Sequence, residues 1–321
     1  MPNILKKLNS FTAMRVKYGS YAVIASGASA AVGAGYFGGG NDGSLQSGID
    51  KITFPADSKT TLSATLTTAI MNSGAMANSG VAGYFGGGTT GASQNYIDKI
   101  TFPADTKTTL SPTLTTITNE LSAMANSGVA GYFGGGYNAG YLNRIDKITF
   151  PADTKTTLSA TLSSARRELG GMANSGVAGY FGGGSGLSSA IDKITFPADT
   201  QSVLSPTLTS AREELRAMAN SGVAGYFGGG YNAGELSGID KITFPADTKT
   251  TLSPTLTTPR RSMGGMANSA VAGYFGGGYD GAGFISGIDK ITFPADSKTT
   301  LSATLTTARY GVFAMADGNV V

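Results

Sequence analysis

The sequence predicts an all-β fold, a six-bladed β-propeller, on three observations. The phrase GYFGGG occurs at 35–40, 83–88, 131–136, 179–184, 225–230 and 273–278, at spacings of 48, 48, 48, 46 and 48 residues. A second phrase, IDKITFPAD, begins at Ile49, Ile97, Ile145, Ile191, Ile239 and Ile288. Each interval holds four short extended pieces, and four strands per repeat of this length is the pattern of a propeller blade. One such sheet cannot bury both faces alone. Stacked about an axis, each sheet buries a face on either neighbour. Helices are excluded because glycine is too dense, 48 of 321 residues, and no apolar run has a 3.6-residue period.

The pieces follow in order. Piece A is the stretch around LSAMA. Asn-Ser-Gly ends it, a tight turn of the kind that needs positive φ. Piece B is VAGYF, closed by three glycines; these supply φ values that side chains disfavour, and the aromatic pair fills space between blades. Piece C is IDKITF, alternating and rich in β-branched and aromatic residues, with Ile49 on one face and Ile52 and Phe54 on the other. Pro-Ala-Asp ends it, with proline presetting a turn and Asp57 and its copies bonding the backbone ahead. Piece D is TTLSATLTT. The Asp and Lys that adjoin in IDK point to opposite faces, so ion pairs across strands or blades are expected rather than a bond between the two.

Composition narrows the chemistry. Charged residues make up 13%, and there is no His, Cys or Trp. Disulfides, zinc–thiolate sites and a thiol nucleophile are thereby excluded, along with the usual neutral-pH proton carrier. Residues 1–41 carry Lys6, Lys7, Arg15 and Lys17 and no acid, whereas the remainder has 19 basic and 20 acidic residues. A neutral repeated body argues against a nucleic-acid partner. No run of 18 apolar residues predicts membrane insertion. A signal-peptide reading of the start is disfavoured, because Tyr21–Gly35 is studded with Ser and Gly and aligns with the repeat. No metal site or cofactor is expected: of the loops that could hold Ca²⁺, only GGGNDG and GGGYDG carry the Asp. No catalytic residues stand out, since the carboxylates repeat uniformly around the ring.

The copies differ in two places. One is the B–C loop, for example YNAGYLNR at 137–144 and YDGAGFISG at 279–287; the other is the D–A connection, for example ARRELG and PRRSMG. In a meander both lie on one face of the disc, and the A–B and C–D turns on the other. The varied face collects Tyr96, Tyr137, Tyr141, Arg144, Arg166, Arg167, Arg212, Tyr231, Glu235, Arg260, Arg261, Tyr279, Phe284, Arg309 and Tyr310. Tyr and Arg are enriched at binding hot spots, so these residues form the candidate binding face. Drift of loops after tandem duplication stands beside that reading.

An aromatic followed by glycines, a C strand ending in an acidic turn, then Thr/Leu and a terminal Arg: this resembles the kelch repeat, from about residue 21 to the C-terminus. The customary Trp is absent, and Ile70 and Thr118 stand where the first two copies would carry the Arg. Near-identical Gly/Thr/Ser-rich arrays of this kind are similar to repeats in bacteriophage structural and tail proteins and in some bacterial surface proteins. The resemblance implies a non-enzymatic structural or adhesion component of a virion, in the tail, fibre or baseplate. Its partners would be other virion proteins or host cell-surface polysaccharide. The alternatives are a bacterial surface or secreted lectin-like propeller, a capsid-decorating protein and a glycan-active enzyme.

Two domains follow: a basic N-terminal arm and possible closing strand over 1–20, and the propeller over 21–321. Residues 311–321, GVFAMADGNVV, read as pieces A and B of a truncated unit, so a six-bladed ring closed by strand exchange between the termini is expected. Seven blades, the last built from both ends, is the alternative.

Overall fold

A computed structural model describes residues 33–317. Among these residues the chain is all-β: 24 strands in six four-stranded antiparallel sheets. The second blade shows the pattern: A is Gly74–Asn78, B is Ala82–Gly86, C is Ile97–Thr101 and D is Thr106–Thr109. The first blade takes its A strand, Phe313–Asp317, from the other end of the chain and pairs it with Ala34–Gly38, Tyr36 opposite Met315. Strand exchange therefore closes six blades, not seven. The expected arm over 1–20 and its boundary with the propeller lie outside the described residues.

Six hydrophobic clusters lie between six pairs of blades. The alternation predicted for strand C is what makes this possible. Ile49 joins Tyr36, Phe85 and Ile100 on one side of the first blade, and Ile52 and Phe54 join Met266, Tyr274 and Ile288 on the other. Each such burial contributes roughly 1.5–3 kcal/mol. The first glycine of GYFGGG is needed for this closeness, because a Cβ at Gly83 would overlap the Met315 sulfur of the preceding blade. Gly87 and Gly88, at φ +67° and +102°, carry strand B into its loop.

Two local expectations are corrected. Strand D is only four residues, SKTT or its equivalent, and precedes the predicted TTLSATLTT core. A short, Lys-bearing outer strand blunts an open sheet edge. The segment that follows leaves the sheet, burying Leu66 between blades and presenting Thr67 to Asp98 of the next blade. Nor does the Asp of the Pro-Ala-Asp turn serve the backbone ahead. Each Phe-Pro bond is cis and each such Asp has positive φ, +54° at Asp57. Its carboxylate is taken by the preceding blade: Tyr36 Oη donates to Asp105 at 2.8 Å and Lys51 Nζ at 2.6 Å. Tyr36 also stacks on Phe102, centroids 5.1 Å apart. This Tyr–Lys–Asp–Phe latch recurs at all six junctions, the last joining Tyr274 and Lys290 to Asp57. Burial and the Asp105 bond raise the Tyr36 hydroxyl far above its ordinary range, so it remains a donor.

Candidate functional site

The varied segments meet on one face, as the meander requires. Short bridges join five of the six D–A connections to the neighbouring B–C loop: Met71 to Thr89, Asn119 to Tyr137, Glu213 to Tyr231, Arg261 to Tyr279 and Asn41 to Tyr310. The fifteen residues expected there divide into two groups with different surroundings.

Six of them serve the ring. Arg166, Arg212, Arg260 and Arg309 are buried, not displayed. Each donates through Nη2 to the Asp of an IDK phrase, Asp192, Asp240, Asp289 and Asp50 in turn, at 2.9 Å for Arg212–Asp240 and 2.8 Å for Arg260–Asp289. The same nitrogen bonds a strand B carbonyl, Phe227 O at 3.2 Å for Arg212. Each Asp also accepts a backbone N–H from the segment that precedes it, Ser163 for Asp192, and Asp240, Asp289 and Asp50 accept the Thr hydroxyl as well; Thr306 supplies both to Asp50, at 2.9 and 2.6 Å. Burial alone would raise the Asp50 carboxyl, but the Thr306 bonds and Arg309 outweigh it and hold it below the usual range. These arginines are corrected from surface to core because a carboxylate buried between blades requires a cation or several donors.

Tyr96 and Arg144 explain the two copies without that Arg. Where Arg212, Arg260 and Arg309 are present, the residue before IDK is Gly238, Gly287 or Gly48, and Ala190 stands opposite Arg166. Arg212 Nη1 donates to the Gly238 carbonyl at 3.2 Å. Where Ile70 and Thr118 replace the Arg, that position holds Tyr96 and Arg144 instead. Arg144 Nε lies 3.6 Å from Asp146 and its Nη2 bonds Thr116 at 2.7 Å. Tyr96 Oη bonds the equivalent Thr68 and packs on the core. The two loops thus vary together: a large side chain enters from one or from the other.

The other nine residues do gather at the surface. Arg167 lies over Tyr137 and Tyr141, 5.3 and 5.5 Å from the centroids. Arg261 lies over Tyr231 and Tyr279, at 4.8 and 5.3 Å, and 3.5 Å from Glu235. Phe284 stacks on Tyr310 at 5.0 Å. Tyr141 is 49% and Phe284 38% exposed, which leaves both rings available to a ligand. A hollow of about 370 Å³ opens here, walled by Tyr279, Phe284, Tyr310 and Arg261 and floored by Glu120, Glu168 and Glu214.

Those three glutamates were not expected. They occupy one position of the repeat, with Asn72 and Ser262, all at positive φ between 51° and 59°. Each backbone N–H bonds the carbonyl of its counterpart in the preceding copy: Glu120 N to Asn72 O, Glu168 N to Glu120 O, Glu214 N to Glu168 O and Ser262 N to Glu214 O. The result is a rim of chain around the mouth, held in a conformation costing roughly 1–3 kcal/mol per residue. Glu120 pairs with Arg167 at 2.6 Å and Glu214 with Arg261 at 3.0 Å. Among the described residues Glu168 has only Arg167 Nε as a cationic partner, at 3.8 Å. Burial and the neighbouring Glu120 and Glu214 push Glu168 up to about 8. Arg216, which lines a small pocket with strand A residues such as Gly74, Ala123 and Gly171, has its pKa lowered by burial against the opposing pull of the three glutamates. The one signal in the sequence was Glu at equal repeat positions of unlike loops.

Asp42 and Asp280, the two residues that hinted at Ca²⁺, bond within their own loops: Gln46 Nε2 to Asp42 at 2.8 Å and Gly283 N to Asp280 at 2.8 Å.

No protein-family model matches the chain, and no curated protein sequence matches it. Among solved structures the chain is similar to YjhT, with a TM-score of 0.65 and 14% identity over 83% of this chain and 97% of that one. At that identity the likeness supports the propeller architecture alone.

Proposed function

We propose that the protein is a non-enzymatic structural and adhesion component of a bacteriophage virion, in the tail, fibre or baseplate, that binds host-surface glycan through its loop face. The kelch-like sequence resemblance carries the virion placement. One observation carries the binding reading. Arg261, Tyr279, Phe284 and Tyr310, all from segments that differ between copies, line one hollow with Glu120, Glu168 and Glu214, and Phe284 presents an exposed aromatic face there. Aromatic faces cover the C–H side of a sugar ring, while charged and amide groups bond its hydroxyls. Loop drift alone gives no reason for Arg167 and Arg261 each to lie over two tyrosine rings.

A glycan array on the full chain, followed by calorimetry on any hit, tests the binding. Phe284→Ala is expected to weaken a bound glycan at least tenfold with the fold intact. Absence of binding to every glycan overturns the sugar reading and leaves a neighbouring virion protein as the ligand. Mass spectrometry of purified particles tests the placement, since a surface or secreted lectin would be missing from them.

A further inference from the structure

We propose that the hollow on the loop face takes a sugar bearing a free primary amine, a hexosamine without its acyl group, whose ammonium meets the Glu168 carboxylate while its ring lies on Phe284. This rests on the glycan reading above and names the class of sugar. The volume, about 370 Å³, falls in the range of small-ligand pockets, roughly 300–1,000 Å³. The polar groups of the hollow are unequally engaged. Three that could donate are turned onto the protein itself. Arg261 donates to Glu214 at 3.0 Å and lies 3.5 Å from Glu235. The Ser262 hydroxyl bonds Glu214, and the Tyr279 hydroxyl bonds the Gly281 carbonyl at 2.9 Å. Glu168 also lines the hollow, and no hydrogen bond from the described residues reaches its carboxylate. Its side chain keeps 14% of its surface open, so a ligand can supply what the protein does not.

Charge selects the amine over other sugars. Among the described residues, three carboxylates and one guanidinium line the hollow, Glu120, Glu168 and Glu214 against Arg261. Counting the charged groups that adjoin them, Glu213, Glu235, Arg167 and Arg216, leaves five acids against three bases. A sugar acid would enter against that excess, with the Arg261 guanidinium already engaged. Burial, then Glu120, Glu214 and Glu213, raise the Glu168 carboxyl, and Arg167 opposes them. A cation among these carboxylates relieves their repulsion, and an ammonium brings three donors and no acceptor. The aromatic walls favour the same ligand independently. Phe284 stacks on Tyr310 and stands 6.1 Å from Tyr279, tilted by 57°. The three rings form a corner whose faces attract a cation and whose open ring, Phe284, covers the apolar side of a sugar.

Calorimetry on the full chain tests this with three oligosaccharides of equal length: glucosamine, N-acetylglucosamine and galacturonic acid tetramers, at about pH 6.5, where the amine is charged. The glucosamine tetramer is expected to bind at least tenfold tighter than its acetylated form, and the galacturonic acid tetramer weakest. Glu168→Gln keeps the shape of the side chain and removes its charge. It should bring the glucosamine and N-acetylglucosamine tetramers to within about threefold of each other, with no fall in melting temperature. Equal binding of those two forms by the wild type, or a preference for the sugar acid, overturns the inference and leaves the glycan reading standing. So does a preference for the amine that survives Glu168→Gln, or array hits confined to sugars without an amine. Absence of binding to these three and to every sugar of the array overturns the glycan reading and this inference with it.

Discussion

The two faces of the ring are made from the same repeat, yet they respond differently to its duplication. On the turn face, each copy meets the next through the Tyr–Lys–Asp–Phe latch, and all six latches use the same four residue types. On the loop face, each copy meets the next through an Asp that needs a cation or a filler, and that need is met in more than one way. The lesson is that invariance and variation within the chain are both largely structural. The Pro-Ala-Asp turn is solvent-facing at Pro and Ala but unchanged, because its Asp anchors two groups of another blade. Tyr96 and Arg144 are variable but internal, because they replace an Arg lost from the partner loop. Subtracting these leaves nine surface residues, of which Arg261, Tyr279, Phe284 and Tyr310 line the hollow, and of which Tyr141 and Phe284 are the most exposed rings.

The largest effect is expected where the loop face does structural work. Arg212→Ala leaves the buried Asp240 with only the more distant Lys249, 3.8 Å away, as a cation and should cost about 3–5 kcal/mol in a denaturant titration. Adding the solution used by the third blade, Arg212→Thr with Gly238→Arg, should recover at least half of that loss. Failure of the second change to rescue would mean that the two loops vary independently. Next comes the latch: Asp247→Ala strands Tyr180 Oη and Lys193 Nζ, which both bond it, and should cost about 2–3 kcal/mol. A loss no greater than that of an ordinary surface substitution, about 0.5 kcal/mol, would remove the explanation offered for the invariant turn.

The smallest effect is a pH dependence at the rim. Burial and the neighbouring carboxylates raise the folded pKa of Glu168 to about 8 from its ordinary 4.5. The folded state therefore binds more protons than the unfolded state between those values. Stability falls as pH rises through that window and is flat outside it. Glu168→Gln removes the titration, so it should flatten the profile and stabilise the protein by on the order of 1–2 kcal/mol at pH 8.5, with little change below pH 4. Melting curves across that range check it; an unchanged slope would show that the three carboxylates do not share one environment.

Much of the architecture was legible in the sequence. The repeat count, the B and C strands, the two apolar faces of IDKITF and the closure by the C-terminal unit all follow from period-two alternation and turn chemistry, which are properties of neighbouring residues. Strand D was misplaced because Thr- and Leu-rich sequence looks extended whether or not it pairs. The arginines were misplaced for a similar reason: an Arg beside a variable loop reads as surface until the carboxylate it neutralises is known.

The sequence by itself determined that the repeat runs through six units, where strands B and C of each lie, and which segments share an end of the ring. Only the tertiary structure decided which charged residues are core and which are free. In a closed ring, residues some 48 positions apart become contacts, so a side chain's environment is set by the copy beside it. Glu120, Glu168 and Glu214 illustrate this: each is an ordinary loop residue in its own repeat, and the ring alone brings them to one rim.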